Sequence, residues 1–318
     1  LRGDLRFAEL VAQFVGASRR AKMLERQQAG LANFFSPAVL EIIRHSNSSE
    51  VLEPKETDIT SLFCDVRGFS RKAERAQSNL KELLVQVSDA LGVMTCGILK
   101  YDGVIADFQG DAALGFWGWP AAAEEGPLSA CLAALEIHQE FARAGEKLND
   151  PRAVFQVGIG IAHGRAIAGK IGTNEQVKVG VFGPVVNMSA RLEGMTRQLR
   201  VPILIDEVTA DAVRQLLPPD KGRCRQLGRV RPYGMDISLM VSELLPPEDF
   251  PGTITSDQIR IYEEAVDAVI GGRWDDALEL LDSLPVKDRA KDFLIIYMAQ
   301  NDYEPPENWD GVIDMSTK

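Results

Sequence analysis

Apolar positions recur with two different periods along this chain. An alternating pattern over residues 58–65 predicts a strand with two distinct faces. One face carries Ile59, Ser61, Phe63 and Asp65, and the other carries Thr60, Leu62 and Cys64. Apolar residues at steps of three and four then predict a long helix that contains Leu80, Leu83, Leu84, Val87, Leu91, Met94 and Ile98.

The next part of the chain mixes further strands and helices. Asp102-Gly103 is a hairpin-type turn, and short strands are predicted on either side of Gln109-Gly110. Helices are predicted over 124–148, 185–199 and 206–217, and strands over 154–162, 177–182 and 201–205, with a glycine-rich stretch after residue 162. This pattern favours a layered α/β or α+β domain that ends near Leu245.

The flanking segments have a different character. Residues 1–35 predict a helix whose apolar stripe packs either on a partner or on its own domain, and Ser36-Pro37 opens a short helix through Ile43. After a proline-rich linker, the C-terminal pattern predicts helices that resemble one tetratricopeptide-like unit. We therefore expect three parts: an N-terminal helix with connector (1–50), a layered domain (51–246) and a helical appendage (252–318).

Composition narrows the function classes. The chain of 318 residues has 35 basic and 46 acidic residues, a net charge of −11, which argues against a nucleic-acid or anionic-membrane binder. We expect no membrane span and no signal peptide. Four dispersed cysteines and three histidines argue against a zinc site and fit a reducing, cytoplasmic setting. Because the chain opens without methionine, we expect a fragment of a longer protein.

Two carboxylates stand where a strand pattern meets glycine. Asp65 ends a strand just before the Gly68 turn, and Asp111 follows Gly110 in a hairpin. Either carboxylate alone is typical of a solvated strand end. Together they suggest a Mg²⁺ site with open positions for phosphate oxygens, and the Gly68-Phe69-Ser70 turn offers backbone N–H groups to an anion.

Asn187 and Arg191 form a second candidate pair. Four residues apart on one predicted helix, they share a face. The arginine fork suits phosphate oxygens, and the asparagine can hydrogen-bond a sugar. A surface arginine with a capping asparagine is the alternative that spacing leaves open.

Three segments resemble the class III nucleotidyl cyclases. Phe63-Cys64-Asp65-Val66-Arg67-Gly68-Phe69-Ser70 resembles that family's first metal-binding segment. The region from Gly103 to Trp117, centred on Gly110-Asp111, resembles the second. Gly183 to Glu193 resembles the transition-state helix. The match is ungapped within each block, and the three blocks occur in the family's order.

The resemblance implies a ferredoxin-like α/β domain that acts as a homodimer with active sites shared between subunits. Asp65, Asp111 and the Val66 carbonyl would hold two Mg²⁺ or Mn²⁺ ions. Asn187 and Arg191 would reach the same nucleoside triphosphate from the other subunit. The reaction implied is attack of the ribose 3′-OH on the α-phosphate with loss of pyrophosphate.

Three positions depart from the family pattern. Asp107 and Pro184 stand where ATP-using members carry a lysine and an acid that read adenine. Asp107 fits guanine N–H groups, an amine of adenine or cytosine, or plain solvent. Tyr233 stands where the family has a lysine that holds the triphosphate, and Arg231 is the expected substitute.

We therefore expect residues 51–246 to be the catalytic domain of a metal-dependent cyclase in signal transduction. The N-terminal part, 1–50, resembles the signalling or dimerisation helices of these cyclases, and we expect that the upstream sensor domain is missing from this chain. Family frequency favours adenylate cyclase activity. The alternatives are a guanylate or pyrimidine nucleotide cyclase, or a nucleotide-binding regulatory domain with weak turnover.

Overall fold

The computed structural model describes residues 6, 12–23, 36–37, 39–41, 52–69, 79–122, 124–145 and 155–315. The chain divides into two compact units, residues 1–51 and 52–318. In the first unit, residues 12–23 are helical with mostly exposed side chains, in agreement with the expected N-terminal helix. The rest of that helix and much of the connector lie outside the described residues.

The second unit is built on a mixed sheet, nine-stranded within the described residues. Its strands are β1 (Lys55–Val66), β2 (Val104–Gln109), β3 (Ala112–Trp117), β4 (Val157–Gly172), β5 (Val177–Phe182), β6 (Ile203–Ile205), β7 (Arg223–Arg231), β8 (Leu239–Leu245) and β9 (Ile313–Asp314). The order is β2-β3-β1-β4-β6-β8-β7-β9, and β5 pairs with β4. β1 is antiparallel to both β3 and β4. The first four strands thus have the ferredoxin-like arrangement that was expected.

Helices cover both faces of this sheet. The part of the chain before the linker contains α1 (Leu80–Lys100), α2 (Gly126–Gly145), α3 (Pro184–Met195) and α4 (Glu207–Leu216). α1, α2 and α4 share one core with the sheet residues Leu62, Cys64, Ile159 and Ile161. The alternation predicted for β1 is confirmed, because Leu62 and Cys64 lie in this core while the Ser61 hydroxyl bonds Ser189 of α3 at 2.8 Å.

Two glycines let α3 approach the sheet closely. A Cβ at Gly160 would collide with the Ser189 carbonyl and the Glu193 amide, and a Cβ at Gly158 would collide with the Glu193 carboxylate. Because both residues lie on β4, this strand fixes the height of α3 above the sheet.

The structure corrects one expectation, the end of the strand predicted over 154–162. β4 runs through the glycine-rich stretch to Gly172, ten residues beyond the predicted end, because its extension is paired with residues 55–59 on one side and with β5 on the other. Tertiary pairing here outweighs the weak strand preference of glycine.

α1 is long and apolar enough to cross a membrane by length and composition. Its Val87, Met94 and Ile98 are buried in the domain, as is typical of a core helix.

The C-terminal segment contains the helices α5 (Ser256–Ile270), α6 (Trp274–Ser283) and α7 (Ala290–Gln300). The helical character that the sequence predicts is confirmed. The pattern did not predict β9, which adds to β7 in parallel, with Val230 opposite Ile313 and Arg231 opposite Asp314. The segment after the linker therefore contributes a strand to the sheet.

A buried ion cluster ties the appendage to the sheet. Both terminal nitrogens of Arg225 on β7 donate to the Asp288 carboxylate, at 2.7 and 2.8 Å. The Arg225 guanidinium also bonds Glu243 of β8 at 2.7 Å and lies 4.4 Å from the ring centre of Tyr262 on α5. The three charged side chains are 6% exposed or less. A charge this deeply buried depends on its partners.

We predict that Asp288→Ala destabilises the protein by about 3–5 kcal/mol, because Arg225 is left partly unpaired in a buried site. Glu264→Gln is the matched control, since it removes an exposed carboxylate that pairs with Arg260 within α5. We expect the control to change stability by less than ~1 kcal/mol. Urea unfolding measures both values. Equal stability of the two variants would show that the ion cluster does not hold the appendage.

Candidate functional site

The two predicted metal carboxylates meet at one end of the sheet. Asp65 lies at the end of β1 opposite Ala112, the first residue of β3, so Asp111 stands next to it. The two carboxyl groups lie close enough that each changes the pKa of the other. Burial and the nearby Asp65 charge raise the pKa of Asp111 to about 6. Burial also raises the pKa of Asp65, although Arg197 opposes this shift. Two carboxylates that repel each other in this way favour a bound cation.

The surroundings of the pair suit a small, hard cation with phosphate ligands. Gly68 and Gly110 flank the carboxylates with positive φ values of 78° and 67°, and a Cβ on either would meet no atom within 4 Å. Within the described residues, no group of three His, Cys, Asp or Glu side chains forms a complete metal cage. Two carboxylates with open space fit Mg²⁺, which keeps positions free for water and phosphate oxygens. The role of the Val66 carbonyl stays a prediction.

A third acidic side chain, on α3, is electrostatically coupled to this pair. Glu193 lies against Gly158, which is the partner of Asp65 in the β1–β4 register. In the part of the chain that the structure describes, its Oε1 is buried without a hydrogen-bond partner. Burial, and then the charge of Asp65, raise the pKa of Glu193 to about 7. The site thus concentrates acidic groups beyond the two that the sequence predicts.

Two guanidinium groups offset this negative charge. Arg197, two residues after the end of α3, places Nη2 3.6 Å from Asp65 Oδ2, and its side chain is 58% exposed. Arg67 is half-buried, and its Nη2 donates to the Val201 carbonyl at 2.6 Å. The Arg67 charge opposes the upward pKa shift of Glu193.

The second predicted pair lines a separate cleft. Asn187 and Arg191 lie on the face of α3 that turns away from the sheet, as their spacing predicted, and they open onto a cleft of about 600 Å³. Its other lining residues are Ala190, Gly194, Met195, Pro232, Tyr233 and Gly234. Neither Asp65 nor Asp111 lines it. The chain therefore brings each pair together but keeps the two pairs apart.

The remaining candidates have these positions. Phe69 packs partly against the core, and Ser70 lies outside the described residues. Arg231 bonds Asp314 at 2.5 Å and lies 3.6 Å from Asp310, so its charge is engaged by the C-terminal segment. Asp107 forms an ion pair with Lys178 of β5.

Sequence reasoning missed Glu193, Arg197 and Lys178. Glu193 and Arg197 are four residues apart, a spacing that suggests an ordinary helix-surface pair. Their approach to Asp65 depends on how closely α3 packs on β4. Lys178 reaches Asp107 across 71 residues of sequence, which no local pattern reports.

Comparison with known proteins agrees with this geometry. The family model of the adenylate and guanylate cyclase catalytic domain matches residues 51–217, about half of the chain. An adenylate cyclase of Anabaena cylindrica is 29% identical over 196 residues, which cover 58% of this chain and 36% of that protein. Adenylate cyclase 2 of Rhizobium meliloti is 31% identical over 193 residues, 60% of this chain and 51% of that protein. The chain spans about half or less of the length of these relatives.

Solved structures show the same fold. A bacterial light-regulated adenylyl cyclase superposes with a TM-score of 0.61 at 20% identity, covering 78% of this chain and 68% of that one. The adenylyl cyclase CyaB from P. aeruginosa gives a TM-score of 0.52 at 22% identity, covering 62% and 98%. With the family model matched over half of its length, the chain belongs to the adenylate and guanylate cyclase catalytic domain family.

Proposed function

We propose that this chain is a catalytic domain that converts ATP to 3′,5′-cyclic AMP and pyrophosphate as a homodimer with two shared active sites. The observation that carries this proposal is the separation of two complementary half-sites. Asp65 and Asp111 meet at the sheet end, whereas Asn187 and Arg191 line a different cleft. In a dimer with two-fold symmetry, the Asp65–Asp111 half-site of each chain would meet the Asn187–Arg191 half-site of the other, which gives two complete sites.

Asp65 and Asp111, with the Val66 carbonyl, would hold two Mg²⁺ or Mn²⁺ ions. When bound, the ions supply charge neutralisation and an acidified ribose hydroxyl. The raised pKa of Asp111 supports this assignment, because burial and the Asp65 charge both disfavour its ionised form, which a bound cation would stabilise. The open turn at Gly68 leaves room for phosphate oxygens beside them.

The second half-site would orient the substrate. Arg191 carries a permanent charge and a donor fork, so it can bind the α-phosphate as negative charge builds there. Asn187, one helical turn earlier, can hydrogen-bond the ribose and hold the 3′-oxygen in line with the phosphorus. Their shared position on the cleft wall supports these roles.

Exposed apolar side chains support the second copy as the partner. Phe108 on β2, together with Ile167, Val177 and Phe182 on the β4–β5 hairpin, are 40–70% exposed. Large apolar groups clustered on projecting strands are typical of a contact surface. The dimer would cover these side chains and complete the half-sites at once.

We predict that Asp65→Ala and Arg191→Ala each lower turnover by at least ~10²-fold. Mixing the two proteins should restore activity, because each heterodimer contains one site with neither lesion. Random pairing of equal amounts into two-fold symmetric dimers predicts roughly a quarter of wild-type turnover. The measurement is cyclic nucleotide formation after subunit exchange.

The matched control is a mixture of Asp65→Ala with Asp111→Ala. These lesions lie in the same half-site, so every site in a heterodimer contains one of them and activity should stay low. If the first mixture also stays inactive although subunit exchange is demonstrated, the sites are not shared.

We propose ATP, rather than another nucleoside triphosphate, as the substrate for two reasons. The relatives from Anabaena and Rhizobium are named adenylate cyclases. In addition, Lys178 lies beside Asp107. The Asp107 carboxylate can accept from the adenine amine, while the Lys178 ammonium can donate to a ring nitrogen. Lys178 thus supplies a hydrogen-bond donor at the position proposed to contact the base, where Asp107 alone is only an acceptor.

We predict that Lys178→Met lowers kcat/KM for ATP by about 10-fold or more, the value of one hydrogen bond to a charged group. GTP should suffer less, because Asp107 alone can accept from the two N–H groups of guanine. Lys170→Met is the control, because it removes a lysine of the adjacent strand β4 that pairs with Glu53 instead. The measurement is kcat/KM with all four nucleoside triphosphates.

The same assay separates the alternatives. Wild-type preference for GTP, CTP or UTP would replace adenylate cyclase by another cyclase activity. Binding without turnover of any triphosphate would favour the regulatory domain that the altered residues Asp107, Pro184 and Tyr233 suggest.

We further infer a cytoplasmic location, with the N-terminal helix linking this domain to an upstream sensor. The four cysteines are all unpaired, which agrees with a reducing compartment.

A further inference from the structure

The triphosphate of the proposed substrate requires positive charge that the expected residues do not supply. Tyr233 is neutral and lines the cleft. Arg231 is engaged by Asp310 and Asp314, so phosphate oxygens would have to displace two carboxylates to reach it. Another cationic side chain near the metal carboxylates would meet this need.

Arg197 has the position and the freedom for this role. It follows α3 directly and is 58% exposed, yet its guanidinium lies 3.6 Å from the Asp65 carboxylate. Its charge also opposes the upward pKa shifts of Asp111 and Glu193, so it lies close to the whole acidic cluster. Arg67, by contrast, is half-buried and bonded to the Val201 carbonyl. Arg197 can therefore move by side-chain rotation, whereas Arg67 is held in place.

We propose that Arg197 binds the terminal phosphates of the triphosphate and then the pyrophosphate leaving group, on the same protomer as Asp65 and Asp111. This inference rests on the proposed cyclase function and names a further substrate-binding residue. In the reaction, the ribose 3′-hydroxyl loses its proton to solvent water, its oxygen bonds the α-phosphorus, and the bond from that phosphorus to the bridging oxygen breaks. The electron pair of that bond stays on pyrophosphate, whose added negative charge Arg197 stabilises.

The contact with Asp65 gives this role a distinctive signature. Without nucleotide, the Arg197 guanidinium pairs with the Asp65 carboxylate, which a metal ion also needs, so it competes with the ion. With nucleotide, it transfers to phosphate oxygens. Removing Arg197 should therefore strengthen the binding of the metal alone and weaken the binding of pyrophosphate. A residue that merely supports the fold or orients Asp65 would weaken both.

The test uses the full chain and two direct binding measurements. Mn²⁺ alone is titrated and followed by electron paramagnetic resonance, and pyrophosphate is titrated by calorimetry in excess Mg²⁺. Arg197→Gln is compared with Arg200→Gln, a matched control that removes a nearby arginine paired instead with Asp292 at 2.8 Å. Asp111→Asn is the reference for a lost metal ligand.

For Arg197→Gln we expect Mn²⁺ to bind roughly two- to five-fold more tightly, the value of an exposed ion pair. Pyrophosphate should bind at least ~10-fold more weakly, because a charge-assisted hydrogen bond is lost. Arg200→Gln should change neither affinity. If Arg197→Gln does not fold, Arg197→Lys serves instead, and its loss of the planar fork should still weaken pyrophosphate binding.

Unchanged pyrophosphate affinity, or weaker Mn²⁺ binding, would overturn the assignment of Arg197. Neither measurement depends on turnover. If Arg197→Gln changes the affinities for Mn²⁺ and pyrophosphate as expected but the wild-type chain cyclises no triphosphate, the proposed function is refuted while the pyrophosphate-binding role of Arg197 stands. A chain that cyclises ATP but binds pyrophosphate equally well after Arg197→Gln would refute only this inference.

Discussion

The close packing of α3 on β4 is the constraint on which the site depends. Gly158 and Gly160 remove the side chains that would otherwise meet Glu193 and the Ser189 carbonyl. At this short separation the inner face of α3 carries Ser189 and Glu193 to the sheet, and the outer face presents Asn187 and Arg191 to the cleft. One helix thus serves both half-sites through opposite faces. Any side chain at position 160 would lift the helix and disturb both.

The acidic end of the sheet shows how the fold accumulates charge for a cation. Asp65, Asp111 and Glu193 all have raised pKa values, and burial is the first cause in each case. Hydrophobic packing of β1 against α1 and α2 holds Asp65 in place whatever its charge state. Repulsion at the site is therefore tolerated in the metal-free domain, and it becomes a source of affinity when a cation binds.

Local patterns predicted the parts of this protein that local chemistry determines. Alternation in β1, the helical spacing of Asn187 and Arg191, and the turn glycines beside Asp65 and Asp111 are all visible within short windows. The missed features arise between distant segments. β4 extends through its glycines because strands on both sides pair with it, and Lys178 reaches Asp107 only after the β4–β5 hairpin forms. Resemblance supplied what spacing left open, namely the expectation that the two pairs act on one nucleotide.

β7 connects the appendage with the cleft beside α3. Near one end of the strand, Arg225 bonds Asp288 in the buried ion cluster. At the other end, Arg231 is held by Asp314, and the Met315 amide donates to its carbonyl at 3.0 Å. The next residues, Pro232 to Gly234, form part of the cleft wall beside Arg191. Because a paired strand moves as a unit, a shift of the C-terminal helices would change the position of that wall. The appendage is therefore mechanically part of the half-site that holds Asn187 and Arg191, although none of its own residues lines the cleft.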